Sequence, residues 1–546
     1  MFYCARMEFN LADLFEIVVD QVPDRLALVA GPARRTYAEL DERATRVAHH
    51  LQAAGVAAGD HVAVLSWNRA EWLEAELGIY KARAAVVNLN YRYVASELAY
   101  LLENSDAVAV LAERSFAPML VEARASAPAL RHVVVIDDGA DEPEAVAALG
   151  GVDYEAALAA ASPDRDFGPR SADDPYLLYT GGTTGSPKGV MWRGEDIFFA
   201  ALGGGGFGQE PIRTPEELAS RVSATSTIGV VNAPMMHGGG QWVTFISLYG
   251  GNTSVLNCDR HYDGAAVLQL AEREGANSIM VVGDAMARPL AEALAVPGAH
   301  YELSSLQAIG SGGAILSKAV KEELRSRLPG VLVTDSFGAS ETGAAGTVLD
   351  FDRPAAGPAF TIRDWVTVID DEGRRVEPGS GTVGRLARRG HIPLGYYKDA
   401  EKTAATFVTD PDGVRWVVPG DAATIEADGT LHLLGRGSVC INTGGEKVYP
   451  EEVEAALKAH PDVFDAVVVG VPDERLVERV AAVITPRGEA RPSLDALQTF
   501  CRATLAGYKV PRQLEVTEEI PRTPVGKPDY RWAKRLVEHA TPVPSS

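Results

Sequence analysis

The chain has 546 residues, more than one hydrophobic core ordinarily serves, so two or more domains are expected. Its formal net charge is −23, with 46% hydrophobic and 23% charged residues. That balance fits a soluble globular protein and argues against a nucleic-acid or anionic-membrane partner. Cys4, Cys258, Cys440 and Cys501 are too far apart for a disulfide framework or a metal-ligand spacing. With no apolar run of about 18 residues and no signal peptide, a cytoplasmic chain with no integral membrane segment is expected. Residues Met1 to Arg6 read as a ragged start, and Met7 opens an amphipathic segment that suits a true initiator.

In chain order, Leu26 to Ala30 reads as a strand, and Thr36 with Glu39 forms a capping-box signal for a helix ending near Gly55. Strands are predicted at His61 to Ser66, Ala85 to Leu89, Ala107 to Leu111 and His132 to Ile136, with helices from Arg69 and Ser96 between them. The alternation resumes with strands at Ile228 to Asn232, Thr253 to Leu256, Ser278 to Val282, Leu306 to Ile309 and Val331 to Asp335. Such βα alternation predicts an α/β fold, with two doubly wound, largely parallel subdomains. Dense Pro, Gly and charge from Ile369 to Gly390 predict a smaller β-rich unit. Pro450 to His460 and Leu494 to Leu505 read as helices, and Phe464 to Val471 and Arg479 to Thr485 as strands, which makes a small α+β domain. The expected division is 1–435 and 436–546, with Gly435-Arg436-Gly437-Ser438 as the hinge and the second unit mobile.

The most informative segment is Tyr179-Thr180-Gly181-Gly182-Thr183-Thr184-Gly185-Ser186-Pro187-Lys188-Gly189. Its glycines let backbone N–H groups approach a phosphate, the threonines add hydroxyl donors, and Lys188 adds a charge. It follows the apolar run Tyr176-Leu177-Leu178, yet it is not a Walker A loop, because Pro187 precedes the lysine and Gly189 follows it. His-Gly-Gly-Gly at 237–240 would suit an esterase oxyanion loop, but no G-x-S-x-G nucleophile elbow exists in the chain. Gly203 to Gly208 follows a helix pattern rather than a strand, so it is read as a mobile loop, not a dinucleotide fingerprint.

The 179–189 segment resembles the phosphate-binding signature of the adenylate-forming superfamily, which includes acyl-CoA synthetases, peptide-synthetase adenylation domains and firefly-type luciferases. Gly181 stands where that pattern usually has serine. Further segments resemble the family's motifs in the family's order. Pro234 to Gly240 resembles its substrate-pocket loop, with His237 between acyl pocket and nucleotide. Ser311-Gly312-Gly313-Ala314 is similar to its adenine-side loop. Ser336-Phe337-Gly338-Ala339-Ser340-Glu341-Thr342 resembles the adenine-and-metal motif, with Phe337 for the commoner tyrosine and Ser340 for the commoner threonine. Taken alone, Glu341 also reads as an acid at a helix start, favoured there by the dipole. Asp421, after Pro419 and Gly420, resembles the ribose-binding aspartate, and Arg436 the ribose- and phosphate-side arginine. Ser438 occupies the hinge position where many relatives carry Asp or Lys. Gly444 and Gly445, in the run from Asn442 to Glu454, are similar to the loop that admits the pantetheine thiol, and Lys527 in Pro521 to Lys527 matches the C-terminal catalytic lysine. Without the earlier motifs, Lys527 would read as an ordinary loop lysine.

The resemblance implies ATP, Mg²⁺ and coenzyme A, with a carboxylic acid as the acyl substrate. Thr180–Lys188, Gly312–Ala314, Ser336–Phe337, Gly338, Ser340, Asp421 and Arg436 would hold the nucleotide, Glu341 and Thr184 the metal, and Lys527, Glu341, Thr184 and His237 would carry catalysis. Because the chain is acidic, such a site must be locally basic or built from backbone N–H groups. Leu178 to Arg193 and Gly435 to Glu454 look most similar to a fatty-acyl and steroid-side-chain CoA ligase branch, which implies a medium-to-long or bulky hydrophobic acid. Met235, Met236, Gly238 to Gly240, Trp242 and Gly203 to Phe207 are the pocket candidates. A carrier-protein-loading adenylating enzyme, a luciferase-like oxygenase and a non-enzymatic nucleotide module are the alternatives. The reading leaves room for a homodimer.

Overall fold

Thr36 caps the helix Tyr37–Ala53 as its spacing predicts: the hydroxyl accepts from Glu39 N at 3.2 Å, and the Glu39 carboxylate accepts from Thr36 N at 2.8 Å. That helix lies so close to Ala70–Lys81 that a Cβ on Gly78 would stand 2.6 Å from Val47 Cβ. The computed structural model describes residues 7–539 apart from 181–186, 207–208, 315, 349–358, 411, 437–440, 444–445, 474–476, 504, 506 and 523–527.

The first βα series forms a parallel sheet in the order Ala85–Asn88, His61–Leu65, Ala107–Glu113, His132–Ile136, Val152–Asp153. Its inner strands are buried on both faces, which is why they read as continuous apolar runs. Leu26–Ala30 is not part of it, contrary to the βα order of the sequence. It turns at Gly31 into Ala33–Thr36 and pairs in parallel with Thr253–Leu256, placing Leu28 opposite Ser254. Alternation in sequence sets the element type, but the edge onto which a buried strand docks is a long-range choice.

The second sheet continues from Thr253–Leu256 through Ile228–Val231, Ser278–Val281, Ala308–Gly312 and Leu332–Ala339, all parallel. The last of these extends through the Ser336 to Ala339 motif rather than ending before it. At that point the sheet reverses. Gly343–Val348 returns antiparallel, and Ala359–Thr361, Thr430–Arg436, Asp421–Ile425, Gly384–Arg389, Arg415–Val417 and Phe407–Thr409 complete an antiparallel β unit. This unit is wider than the Ile369 to Gly390 stretch that composition pointed to. A third, small antiparallel sheet is made of Pro175–Thr180, Lys188–Arg193 and Gly395–Tyr396.

Near the C-terminus, Val463–Asp473 and Val477–Pro486 pair antiparallel, with Gln513–Val516 parallel beside the latter. Alternate residues face opposite cores. Ala466 and Val468 pack with Val453, Leu457 and Leu497, while Val467, Val469 and Val471 pack with Ala533 and Val537. Each fully buried valine contributes about 1.5–3 kcal/mol. Among the described residues no helix is long and apolar enough to cross a membrane.

Candidate active site

The phosphate-loop candidates sit at the turn of a hairpin. Thr180 lies opposite Lys188 and Tyr179 opposite Gly189; Gly181, Gly182, Thr183, Thr184 and Gly185 lie outside the described residues. A Cβ at Gly189 would stand 3.0 Å from the Tyr179 ring, so a side chain there would crowd the ring where the hairpin closes. Lys188 Nζ is ion-paired with Asp399, which also caps the helix Ala400–Thr406 by accepting from Lys402 N. The Lys188 hydrogen bond, and then the Lys402 N–H, hold the Asp399 carboxyl below its ordinary value. A bound phosphate would compete with Asp399 for this lysine.

Glu341 stands at the tight turn between Leu332–Ala339 and Gly343–Val348. It is a hairpin-turn acid, so the helix-start reading is wrong: the chain reverses where a helix dipole would have been needed. A Cβ at Gly338 would lie 2.2 Å from Gly343 O, and one at Gly343 2.7 Å from Ala200 O. Both glycines are therefore demanded by close backbone approach, and Gly343 also has φ 63°. Thr342 Oγ1 accepts from Ala339 N at 2.9 Å and donates to Gly343 O at 3.0 Å.

Two side chains tie this turn to the phosphate hairpin. Trp192 Nε1, on the second hairpin strand, donates to Ser340 O at 3.1 Å. Tyr396, on the third strand of the same small sheet, donates its hydroxyl to Glu341 Oε1 at 2.8 Å. Thr180, Lys188, Ser340 and Glu341 thus share one locality, although 152 residues separate Lys188 from Ser340 along the chain. Tyr396 and Asp399 were missed by sequence reasoning. Their signal was the Gly-Tyr-Tyr-x-Asp run at 395–399, an aromatic pair followed by a helix-cap acid.

His237 joins from the second βα subdomain as N-cap residue of the helix Gly238–Tyr249. Its loop is fixed by two asparagines, the buried Asn88 and the partly buried Asn68. Asn88 donates to Tyr179 O at 2.9 Å and to Met236 O at 2.7 Å, and accepts from Tyr179 N at 2.7 Å. Asn68 accepts from Met235 N at 2.7 Å and donates to Ala233 O at 3.2 Å. Asn88 therefore clamps the phosphate hairpin to the histidine loop. An Asn closing a buried apolar strand was the available clue, since ligands in α/β folds gather at the carboxyl ends of strands.

The adenine-side candidates follow from sheet register. Gly312 lies opposite Ser336, Gly313 has φ 83°, Ala314 follows it, and Ser311 Oγ accepts from Gly283 N at 3.1 Å. Phe337 packs on Phe360 with ring centroids 4.5 Å apart and covers Gly346, where a Cβ would meet the ring at 2.4 Å. Asp421 and Arg436 are directly paired across adjacent strands. The Arg436 side chain, Ser438, Gly444, Gly445 and Lys527 lie outside the described residues.

Among the acyl-pocket candidates, Met235 and Met236 are buried in the core. Gly240 is needed by packing, since a Cβ there would stand 2.4 Å from Pro234 O, while one at Gly238 would press on Leu178 Cδ2 at 2.9 Å and the Trp242 ring at 3.1 Å. Gly239 differs: its Cβ would meet only Met280 Cε, at 3.8 Å. Trp242 is half-buried and donates Nε1 to Tyr176 OH at 3.1 Å.

Comparison with known proteins identifies the family. The family model described as AMP-binding enzyme matches residues 15–397, and that of the AMP-binding enzyme C-terminal domain matches 452–527. The chain is 48% identical over 538 residues to the 3-oxocholest-4-en-26-oate–CoA ligase of Rhodococcus rhodochrous, covering 97% of this chain and 96% of that protein. It is 49% identical over 539 residues to the medium/long-chain-fatty-acid–CoA/3-oxocholest-4-en-26-oate–CoA ligase of Mycolicibacterium smegmatis, covering 97% of each. Among solved structures, the anthranilate CoA ligase AuaEII in complex with anthranoyl-AMP matches with a TM-score of 0.82 at 25% identity, over 98% of this chain and 99% of that one. The chain belongs to the AMP-binding enzyme family, as an AMP-forming acid–CoA ligase.

Proposed function

We propose that the acid is hydrophobic, a medium- or long-chain fatty acid or a steroid side-chain acid, and that it is activated as an acyl-adenylate before transfer to coenzyme A. The named activities of the relatives support this substrate class. So does Gly239, the histidine-loop glycine that packing does not require, which leaves room beside Met280 for an acyl group. The observation that carries the site assignment is the convergence of the Thr180/Lys188 hairpin and the Glu341 turn through Trp192 and Tyr396.

Among the described residues no three acidic, histidine or cysteine side chains gather into a metal cage. That fits a Mg²⁺ that arrives with the nucleotide, held by Glu341, phosphate oxygens and water, with Thr184 as the expected hydroxyl contact. Bound there, the ion would neutralise triphosphate charge. In this reading Thr180 and Lys188 bind phosphate, Phe337 and Gly312–Ala314 border the adenine, and Asp421 and Arg436 take the ribose side. The carboxylate of the acid attacks the α-phosphorus and pyrophosphate departs, with Lys527 offsetting the developing negative charge. The CoA thiol then attacks the acyl carbonyl of the mixed anhydride, and AMP leaves. Positioning and charge stabilisation suffice for the first step, because a carboxylate needs no general base. We take 1–435 and 436–546 as the moving units: a rotation near Ser438 withdraws Lys527 and admits Gly444 and Gly445. A cytoplasmic location suits Cys258 and Cys501, both free thiols.

The test is a panel of acids with ATP and CoA, reading AMP release and thioester mass, beside carboxylate-dependent ATP–pyrophosphate exchange in Lys527→Ala. Turnover of short acids such as acetate alone would refute the substrate class. Undiminished exchange in the variant would refute the lysine's role.

A further inference from the structure

Arg388 lies on the strand Gly384–Arg389, opposite Val366 and Val417, and is 3% exposed. Its Nη1 donates to the carbonyls of Thr342 and Ala344, the latter at 2.6 Å. Its Nε has no hydrogen-bond partner, and no carboxylate stands within ion-pair distance of the guanidinium, among the described residues. Burial alone pulls the group down to about 10, so it remains charged at neutral pH.

A buried cation without a counter-ion is costly, and folds ordinarily pair or neutralise such a charge. Here it has been kept behind the turn that carries Glu341. The two carbonyls it binds belong to the residue after Glu341 and to one two positions further on. Trp192 holds the same turn from the other side, through Ser340 O, and Tyr396 holds the Glu341 carboxylate itself. Arg388 is the only one of the three that bears charge. On a chain of net charge −23, a positive charge left unneutralised at this place suits a site that takes an anion.

We propose that Arg388 is a positioning residue for adenylation: by gripping the Thr342 and Ala344 carbonyls it fixes the turn and thereby where the Glu341 carboxylate stands. This rests on the reading of Glu341 as the carboxylate that meets the nucleotide-borne Mg²⁺. The guanidinium's effect then belongs to the first half-reaction. Attack of the CoA thiol on a finished adenylate needs no triphosphate and is indifferent to it.

The experiment compares Arg388→Met, Arg388→Lys, Glu341→Gln and the Arg388→Met/Glu341→Gln double variant with the parent. Mg²⁺ is titrated calorimetrically into enzyme saturated with α,β-methylene-ATP. Amide hydrogen exchange is followed over residues 339–344, and CoA acylation is timed from a synthetic acyl-adenylate. Arg388→Met should weaken Mg²⁺ binding about tenfold or more, the range seen when a group supporting a metal ligand is removed. It should also speed exchange over 339–344 and change acyl transfer less than about twofold. Arg388→Lys should recover a substantial part of the Mg²⁺ affinity, and the double variant should bind Mg²⁺ no worse than Glu341→Gln alone. Unchanged exchange over 339–344 in Arg388→Met overturns the inference, as does an equal loss in both half-reactions. If Glu341→Gln binds Mg²⁺ as the parent does, the metal reading of Glu341 fails by itself. The exchange data then still decide whether Arg388 holds the turn.

Discussion

The N-terminal region and the Glu341 turn both bury a cation, and they treat it in opposite ways. In the first, Lys81 is wholly buried yet ion-paired with Glu16 and with Asp41, the latter at 2.8 Å. Arg170 joins Glu16 at 3.1 Å and Asp13, and Arg165 joins Asp41 at 2.6 Å. Burial pushes the Glu16 carboxyl up, but Lys81 and Arg170 more than offset this and leave it below its ordinary value. At the second, Arg388 meets only carbonyls among the described residues. A third response appears on the helix Ala70–Lys81, where Glu76 is fully buried, accepts from Tyr80 OH at 2.9 Å, and has no cation in ion-pair distance among the described residues. Burial raises it to about 8, so it is neutral at pH 7. A charge with a complete set of partners builds the fold, and a group that can shed its charge does so. An arginine can do neither alone, which makes its place beside an anion site informative.

The largest expected effect follows from breaking the N-terminal network. Lys81→Met leaves Glu16 and Asp41 without their central partner and should cost about 3–5 kcal/mol in a urea titration. A loss below about 1 kcal/mol would show that the network is no more than a set of surface-like pairs.

Glu76 tests the neutral response through pH. Its folded-state value is raised, so its contribution is intact below the ordinary carboxylate range and is lost as pH rises through about 8. Glu76→Gln should therefore melt above the parent at pH 8 and lose that advantage toward pH 5. The gap should change by up to about 1.4 kcal/mol per pH unit. A gap independent of pH would mean that the carboxyl is solvated or paired.

Gly338→Ala sharpens the turn side of the comparison. The new methyl meets Gly343 O, and the strand must move at a cost of about 1–3 kcal/mol. Pyrophosphate exchange should fall further than acyl transfer from preformed adenylate, because the displaced segment carries Glu341. Equal losses would detach the turn from adenylation.

The smallest effect concerns His50 and His132, whose Nε2 atoms lie 2.9 Å apart. Burial holds both below their ordinary value, aided at His50 by His132 and at His132 by Arg131. Their contribution is complete above about pH 6.5 and fades as pH falls. His132→Gln should flatten the melting profile between pH 7 and 5 by less than about 1 kcal/mol. An unchanged slope would assign the acid sensitivity elsewhere.

Much of the candidate site was legible in the sequence. Thr180, Lys188, His237, Ser340 and Glu341 lie in segments whose residue types are demanded locally, by glycine conformations, hydroxyl donors and a single acid. The strands at Thr253–Leu256 and His132–Ile136 were readable to the residue, because buried parallel strands are continuous apolar runs. The pairings of Asn88, Tyr396, Asp399 and Arg388 were not legible. Each acts on a partner 46 or more residues away, on Met236, Glu341, Lys188 and Thr342 respectively, and neither periodicity nor composition reports such a pairing.

What the sequence by itself determined is the main βα elements and the Thr36 cap, through short-range sterics and hydrophobic periodicity, and, through the resemblance of its motifs, the family and the residue types its chemistry needs. Only the tertiary structure decided that Leu26–Ala30 docks on the second sheet, that Glu341 sits in a hairpin turn, and that a buried guanidinium grips the carbonyls behind it. Those are outcomes of packing between distant segments. Their free energy depends on which surfaces meet, and no local stretch of chain carries that information.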